Sequence, residues 1–188
     1  MKQLFFFIAS FLILFSSDAQ TKLYVHPDSD NYVSNSNSIA ILPLDVQVKL
    51  RPKELKDFTP EQIIDMNKRE SLDIQRAMYS WFLTRKKRGA LLVETVQSPN
   101  VTNAKLNKAG IDKHSYFDMT PQELGEILEV DVVIMGSFET SKPMSNAAGV
   151  ALALLGGIGG ATSQATLNMD FFNVSDNELV VNYFKKIK

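Results

Sequence analysis

Two histidines, His26 and His114, are the whole imidazole complement of this 188-residue chain, and it contains no cysteine. Neither histidine has a second ligand at the short spacing of a metal-binding helix or loop. A zinc site would need both of them plus carboxylates from distant segments, so no metal site and no cofactor are expected. A Ser/His/Asp arrangement is confined to the same two histidines, and no serine sits in a G-x-S-x-G elbow, so no catalytic nucleophile is expected. The remaining titratable chemistry is acidic. Asp112, Asp118, Glu123 and Glu126 cluster around one helical stretch. Paired carboxylates there would suit glycoside hydrolysis, whereas helix capping and a solvated face account for the same residues structurally.

Ser141 to Ser163 is the unusual stretch. No charged residue occurs between Pro143 and Met169, and the centre runs from Gly149 through Leu152, Leu155, Gly156, Gly157, Ile158, Gly159 and Gly160 to Ala161. No lysine follows these glycines, so they make a poor phosphate cradle. Three readings stand. Asn146 to Leu155 can be a buried helix that Gly156 and Gly157 end. Leu152, Leu155 and the residues Gly156 to Gly160 can form a partner-contact surface, where small side chains let another backbone approach. The segment can also touch a membrane, although it is short for a spanning helix. Arg85-Lys86-Lys87-Arg88 either closes a helix, where cations favour the negative end of the dipole, or grips phosphate. Without interleaved aromatics, and with a net charge of -1, no nucleic-acid partner is expected.

The elements around these residues follow from pattern. Lys2, an apolar run from Leu4 to Phe15 and the small residues Ser17 and Ala19 read as a signal peptide over residues 1–19, cut between Ala19 and Gln20. The place of action is then periplasmic or secreted. Without a cysteine to carry lipid the chain is not expected to be a lipoprotein, and an exported fold lacking disulfides relies on its core. Residues 20–38, with Pro27 and the polar run Ser34 to Ser38, read as a flexible tether. Residues 39–188 read as a single domain.

Within that domain Ile39 to Leu44 is a first strand whose Pro43 belongs at an end or edge. Thr59-Pro60-Glu61-Gln62 is a capping box opening a long helix that runs to about Lys87. Ala90 to Gln97 reads as a strand, Ser98-Pro99-Asn100 as a break, and Val101 to Ala109 as a short helix. Thr120 and Glu123 form a second capping box for a helix to about Glu129, followed by the continuous apolar strand Val132 to Phe138. Gln164 to Val174 and Glu178 to Lys186 alternate around Ser175-Asp176-Asn177 as a β-hairpin. The expected class is α/β: a mixed sheet of about five strands with helices packed on it and a C-terminal hairpin.

The Leu42-Pro43-Leu44 step, the long helix, and Leu128-Glu129-Val130-Asp131 leading into a strand that carries Gly136-Ser137 resemble a known group. These are the periplasmic α/β modules of the bacterial cell envelope, which include the curli secretion protein CsgG, the penicillin-binding-protein activator LpoB and the N-terminal domain of TolB. The resemblance spans roughly Ile39 to Lys186. It implies a non-enzymatic role in binding envelope proteins, and it brings no catalytic residues. A second implication is an oligomeric, membrane-associated secretion or scaffold subunit that uses 149–161, with homo-oligomers and peripheral membrane contact as further partner classes. CsgG-like pore formers are lipoproteins with two membrane hairpins, whereas this chain offers one short candidate segment and no lipid-bearing cysteine. A carboxylate-based hydrolase remains the enzyme alternative.

Overall fold

The computed structural model describes residues 20–111, 115–141 and 165–187. In chain order the elements are β1 (Gln20–Val25), α1 (Ser29–Asn35), β2 (Ser38–Ile41), β3 (Asp45–Val48), α2 (Pro60–Lys87), β4 (Thr95–Val96), α3 (Pro99–Lys108), α4 (Pro121–Leu128), β5 (Val132–Thr140), β6 (Ala165–Asn173) and β7 (Leu179–Ile187). Short 3-10 turns occupy Leu55–Asp57 and Ser115–Asp118. The strands form one mixed sheet in the order β1-β7-β6-β5-β2-β4, with β3 also paired to β5. β2, β3 and β4 contribute the parallel pairs, while β5, β6, β7 and β1 run antiparallel in succession.

The α/β class, the helices packed on a mixed sheet and the C-terminal hairpin agree with the sequence reading, and β5 is the central strand. The sheet is wider than expected by β1 and β3. Residues 20–38 are corrected from a tether to structure: β1 pairs along its length with β7, from Gln20 opposite Lys186 to Val25 opposite Val181. The polar run after it obscured a short stretch rich in strand formers, Thr21 to Val25. α1 is polar nearly throughout and is stitched by side chains, with Asn35 Nδ2 donating to Asn31 O at 2.9 Å and Ser36 Oγ to Tyr32 O at 2.7 Å.

Pro43 explains why one strand became two. Ile41 lies opposite Ile134 and Asp45 opposite Ser137, so Leu42 to Leu44 face only Met135 and Gly136. A residue without an N–H cannot continue the ladder, and the extra residue is accommodated as a bulge at that point. The strand expected over 90–97 pairs only at Thr95 and Val96, flanked by Gln97 N donating to Ile39 O at 2.8 Å. Val93 is buried in the core without joining the ladder. The expected break at Ser98-Pro99 is instead the start of α3, because proline suits the first helical position.

Helices cover both faces of the parallel half. On one face α2 packs Ile74, Met78 and Phe82 against Ile41, Val46, Ile134 and Phe138. On the other, Leu106 of α3 and Leu124 and Leu128 of α4 pack with Ala40, Leu42, Val133 and Tyr116. Both capping boxes are present: Thr59 Oγ1 accepts from Gln62 N and Thr120 Oγ1 from Glu123 N, while each third-position side chain returns to the cap N–H. Burial of these two apolar layers is the main stabilising term, since each fully buried Leu, Ile or Phe contributes about 1.5–3 kcal/mol.

Candidate binding crevice at the end of strand β2

From β2 the chain runs through β3 and α2 to β4 on one side, then returns through α3 and α4 to β5 on the other side of β2, with the helices of the two connections on opposite faces. Helices that diverge in this way open a crevice outside the carboxyl end of the strand between them, where open α/β sheets hold ligands. Here the crevice has a volume of about 500 Å³. Pro43 and Tyr116 form its floor, Ile64, Lys68, Ser71 and Leu72 come from α2, and Asn103, Leu106 and Asn107 from α3. Its surface is chiefly apolar, and Ile64 is 55 % exposed at the rim.

The polar groups around the floor are occupied by main-chain carbonyls. Ser71 Oγ donates to Leu44 O at 2.6 Å, and Gln75 Nε2 donates to Ile41 O at 2.7 Å. Asn103 Nδ2 donates to Gln75 Oε1 at 2.9 Å, which fixes the glutamine amide. The Tyr116 hydroxyl donates to Pro43 O. β4 pairs only with Ser38 and Ile39, and beyond that level Ile41 O at the end of β2 and Pro43 O and Leu44 O in the link to β3 take these side-chain donors; buried carbonyls need such partners. Burial, with the Asp45 charge adding to it, pushes the Tyr116 phenol above its ordinary range, which removes it from proton transfer near neutral pH.

The sequence-selected residues fall elsewhere. Leu152, Leu155, Gly156, Gly157, Ile158, Gly159 and Gly160 lie outside the described residues, as do Asp112 and His114. Glu123 is engaged in its cap: Oε2 accepts from Thr120 N at 2.7 Å and from the Thr120 hydroxyl at 2.9 Å, contacts that hold the carboxyl below its usual range. Glu126 accepts from Gln122 Nε2 at 3.1 Å on the same helix, and Asp118 is exposed in the preceding turn. His26 lies edge-on to Tyr32, 3.7 Å from Glu178, and its Nδ1 accepts from Asp28 N. No group of three or more His, Cys, Asp or Glu side chains capable of holding a metal occurs among the described residues. In the basic run, Lys86 Nζ donates to Glu94 O and Arg85 stacks 4.7 Å from the Trp81 ring centre. Among the described residues no helix is long and apolar enough to cross a membrane.

Asp131 has a role that the sequence reading placed only as a strand entry. Its Oδ2 accepts from Asn37 N at 2.8 Å, Ser38 N at 2.9 Å and Ser38 Oγ at 2.9 Å, pinning the start of β2 beside the start of β5. Glu129 turns the chain out of α4 with φ 56°, and Lys105 Nζ caps the helix by donating to Leu128 O at 2.6 Å. A smaller polar hollow, about 380 Å³, lies at this end between Asn31, Tyr32, Asp131, Asn173 and Asp176. Asp176 is held low there, chiefly by Asn173 Nδ2 at 2.7 Å, and it receives the Tyr32 hydroxyl at 3.0 Å.

No family model matches the sequence, and no curated protein matches it either. Solved structures resemble it distantly. The lipoprotein GNA1162 of Neisseria meningitidis aligns at 10% identity over 81% of this chain and 80% of its own, with a TM-score of 0.44. LpoB of E. coli aligns at 9% identity over 86% of this chain and 64% of its own, with a TM-score of 0.40. The PelC dodecamer of Paraburkholderia phytofirmans aligns at 8% identity over 89% and 80%, with a TM-score of 0.38.

Proposed function

We propose that this chain is an exported, non-enzymatic domain of the bacterial cell envelope that works by binding a protein partner. The crevice at the end of β2 carries the reading. In the position where an open α/β sheet would keep reacting groups, the serine, glutamine and tyrosine side chains hold main-chain carbonyls, the asparagine holds the glutamine amide, and the remaining surface is chiefly apolar, with Asp65 and Lys68 of α2 beside it. An apolar hollow with an exposed isoleucine at its rim fits a partner's hydrophobic side chain better than a polar substrate. The secretory pattern of residues 1–19 supports the envelope as the place of action.

The test is a photo-crosslinking amino acid at Ile64 in the native host, with the same group at Arg76 as control. Arg76 lies on the exposed face of α2, paired with Asp73. The expected result is one dominant envelope-protein adduct from position 64, absent from position 76 and lost when Leu72 is changed to Glu. Equal labelling from both positions, or hydrolytic activity in the purified protein that Ile64→Glu leaves intact, would overturn the proposal.

A further inference from the structure

β1 is an edge of the sheet, and all six of its residues are exposed. Leu23 is 63 % exposed, Tyr24 45 % and Val25 46 %. Natural edges are ordinarily protected by proline, a bulge, inward charges or a covering element. β1 contains no proline and pairs with β7 without a bulge, no element among the described residues pairs with its outer edge, and Lys22 is its single charge. The orientation of its free backbone follows from the ladder. His26 N donates to Val180 O, and hydrogen-bonded pairs alternate in antiparallel strands, so Tyr24, Lys22 and Gln20 turn their N–H and C=O groups toward β7. Thr21, Leu23 and Val25 therefore direct theirs outward.

We infer that β1 is a homodimerisation edge, which pairs antiparallel with β1 of a second copy in a register centred on Leu23. Outward-directed residues must meet outward-directed residues, and three two-fold registers let at least two of the outward residues of each copy pair. Centring on Lys22 places Lys22 directly opposite its own copy, a destabilising like-charge pair. Centring on Tyr24 places Thr21 opposite Pro27, which has no N–H to give. Centring on Leu23 uses all three outward residues. Leu23 then meets Leu23, Thr21 meets Val25 and Lys22 meets Tyr24 of the second copy, giving an apolar pair, a β-branched pair and a cation beside an aromatic ring. Lys22 already sits 6.0 Å over the Phe184 ring within one copy, so its ammonium is preplaced on that face. The opposite face continues the apolar surface of Leu23 and Val25 into Val181 and Tyr183. A self-complementary strand is what a two-fold interface requires, since each patch must meet its own copy.

The absence of cysteine makes the register directly measurable. In the proposed pairing the two Leu23 Cα atoms stand about 5.5 Å apart, within disulfide range. The complete chain carrying Leu23→Cys should form a disulfide-linked dimer under mild oxidation after export and purification. Thr21→Cys alone should not, whereas Thr21→Cys combined with Val25→Cys should. Leu23→Lys, at an exposed position that tolerates substitution, should shift the protein from dimer to monomer by light scattering with an unchanged circular dichroism spectrum. Two results would overturn the inference: a monomeric wild type at the highest measurable concentration, or crosslinking of Thr21→Cys as fast as Leu23→Cys. These outcomes are independent of the crevice, which lies at the other side of the sheet.

Discussion

Asp131 shows how one side chain can join two parts of a fold. It sits at the step where α4 gives way to β5, and its carboxylate receives two backbone N–H groups and one hydroxyl from Asn37 and Ser38, more than ninety residues earlier. Hydrogen bonds to a charged group contribute more than neutral ones, and their loss leaves half-buried donors without partners. Asp131→Ala should therefore destabilise the protein by roughly 2–4 kcal/mol. Asp131→Asn should cost less, since one amide oxygen still accepts. Urea unfolding of both variants checks this, and equal midpoints for Asp131→Ala and wild type would show that the clamp contributes nothing. Gly136 on the same strand illustrates a second constraint: a Cβ there would run into the Asn168 carbonyl oxygen of β6. The sequence marks both residues as part of a recognisable step, but only the register with β2 and β6 shows what each one touches.

At the scale of elements, β1 changes how the N-terminal part of the chain is understood. It forms a full ladder with β7. Removing Gln20 to Val25 would lose several ladder bonds, on the order of 3 kcal/mol at about 1 kcal/mol each. For a domain of this size that is a fall in melting temperature of roughly 6–12 °C. A chain beginning at His26, compared with one beginning at Gln20 by thermal denaturation, checks the figure; equal melting temperatures would return β1 to the status of a tether. The strand was hard to read because a six-residue signal was averaged with the serines and asparagines that follow. β3 was hidden differently. Asp45-Val46-Gln47-Val48 alternates over only four residues and follows a proline, and nothing local says that β5 is long enough to pair with both β2 and β3. By contrast, the two helices with a Thr-Pro-x-Gln/Glu start were legible, because a capping box is a local hydrogen-bonding arrangement that needs no tertiary partner. The crevice was not legible. Ser71 and Gln75 on α2, Asn103 on α3 and Tyr116 in the turn before α4 are ordinary residues in three separate segments, and only the fold brings them together.

Across the whole molecule the ionisable groups define a pH window for stability. Glu123 is held low by the Thr120 N–H and then by the Thr120 hydroxyl, Glu129 by the hydrogen bond and then the charge of Lys105, and Asp176 chiefly by Asn173. Each folded carboxyl thus titrates below its unfolded value, so the unfolded chain takes up protons first as pH falls. Their stabilisation is present above about pH 4.3 and is lost as pH drops through the folded values. The tyrosines act in the opposite sense. Burial raises Tyr116 and Tyr183, and the hydrogen bond to Asp176 raises Tyr32. The unfolded chain releases those protons first, near pH 10, so their contribution is complete below that value and declines as pH rises above it. A plateau between about pH 5 and pH 9 is expected, with an acid limb and an alkaline limb of different origin. The acid groups Glu123 and Asp176 lie close to the joint where Gln122 N donates to Asn177 Oδ1, while Tyr116 lies under the crevice at the end of β2. Urea midpoints measured at pH 3.5, 7 and 10.5 should be highest at pH 7. Glu123→Gln, which keeps an acceptor for the cap, should make the acid limb shallower, with Glu129 and Asp176 still contributing to it, and leave the alkaline one unchanged. Tyr116→Phe should do the reverse, with a lower midpoint throughout because Pro43 O loses its donor. If either variant flattened both limbs, the two ends of the domain would be titrating as one unit and the separate assignments would fail.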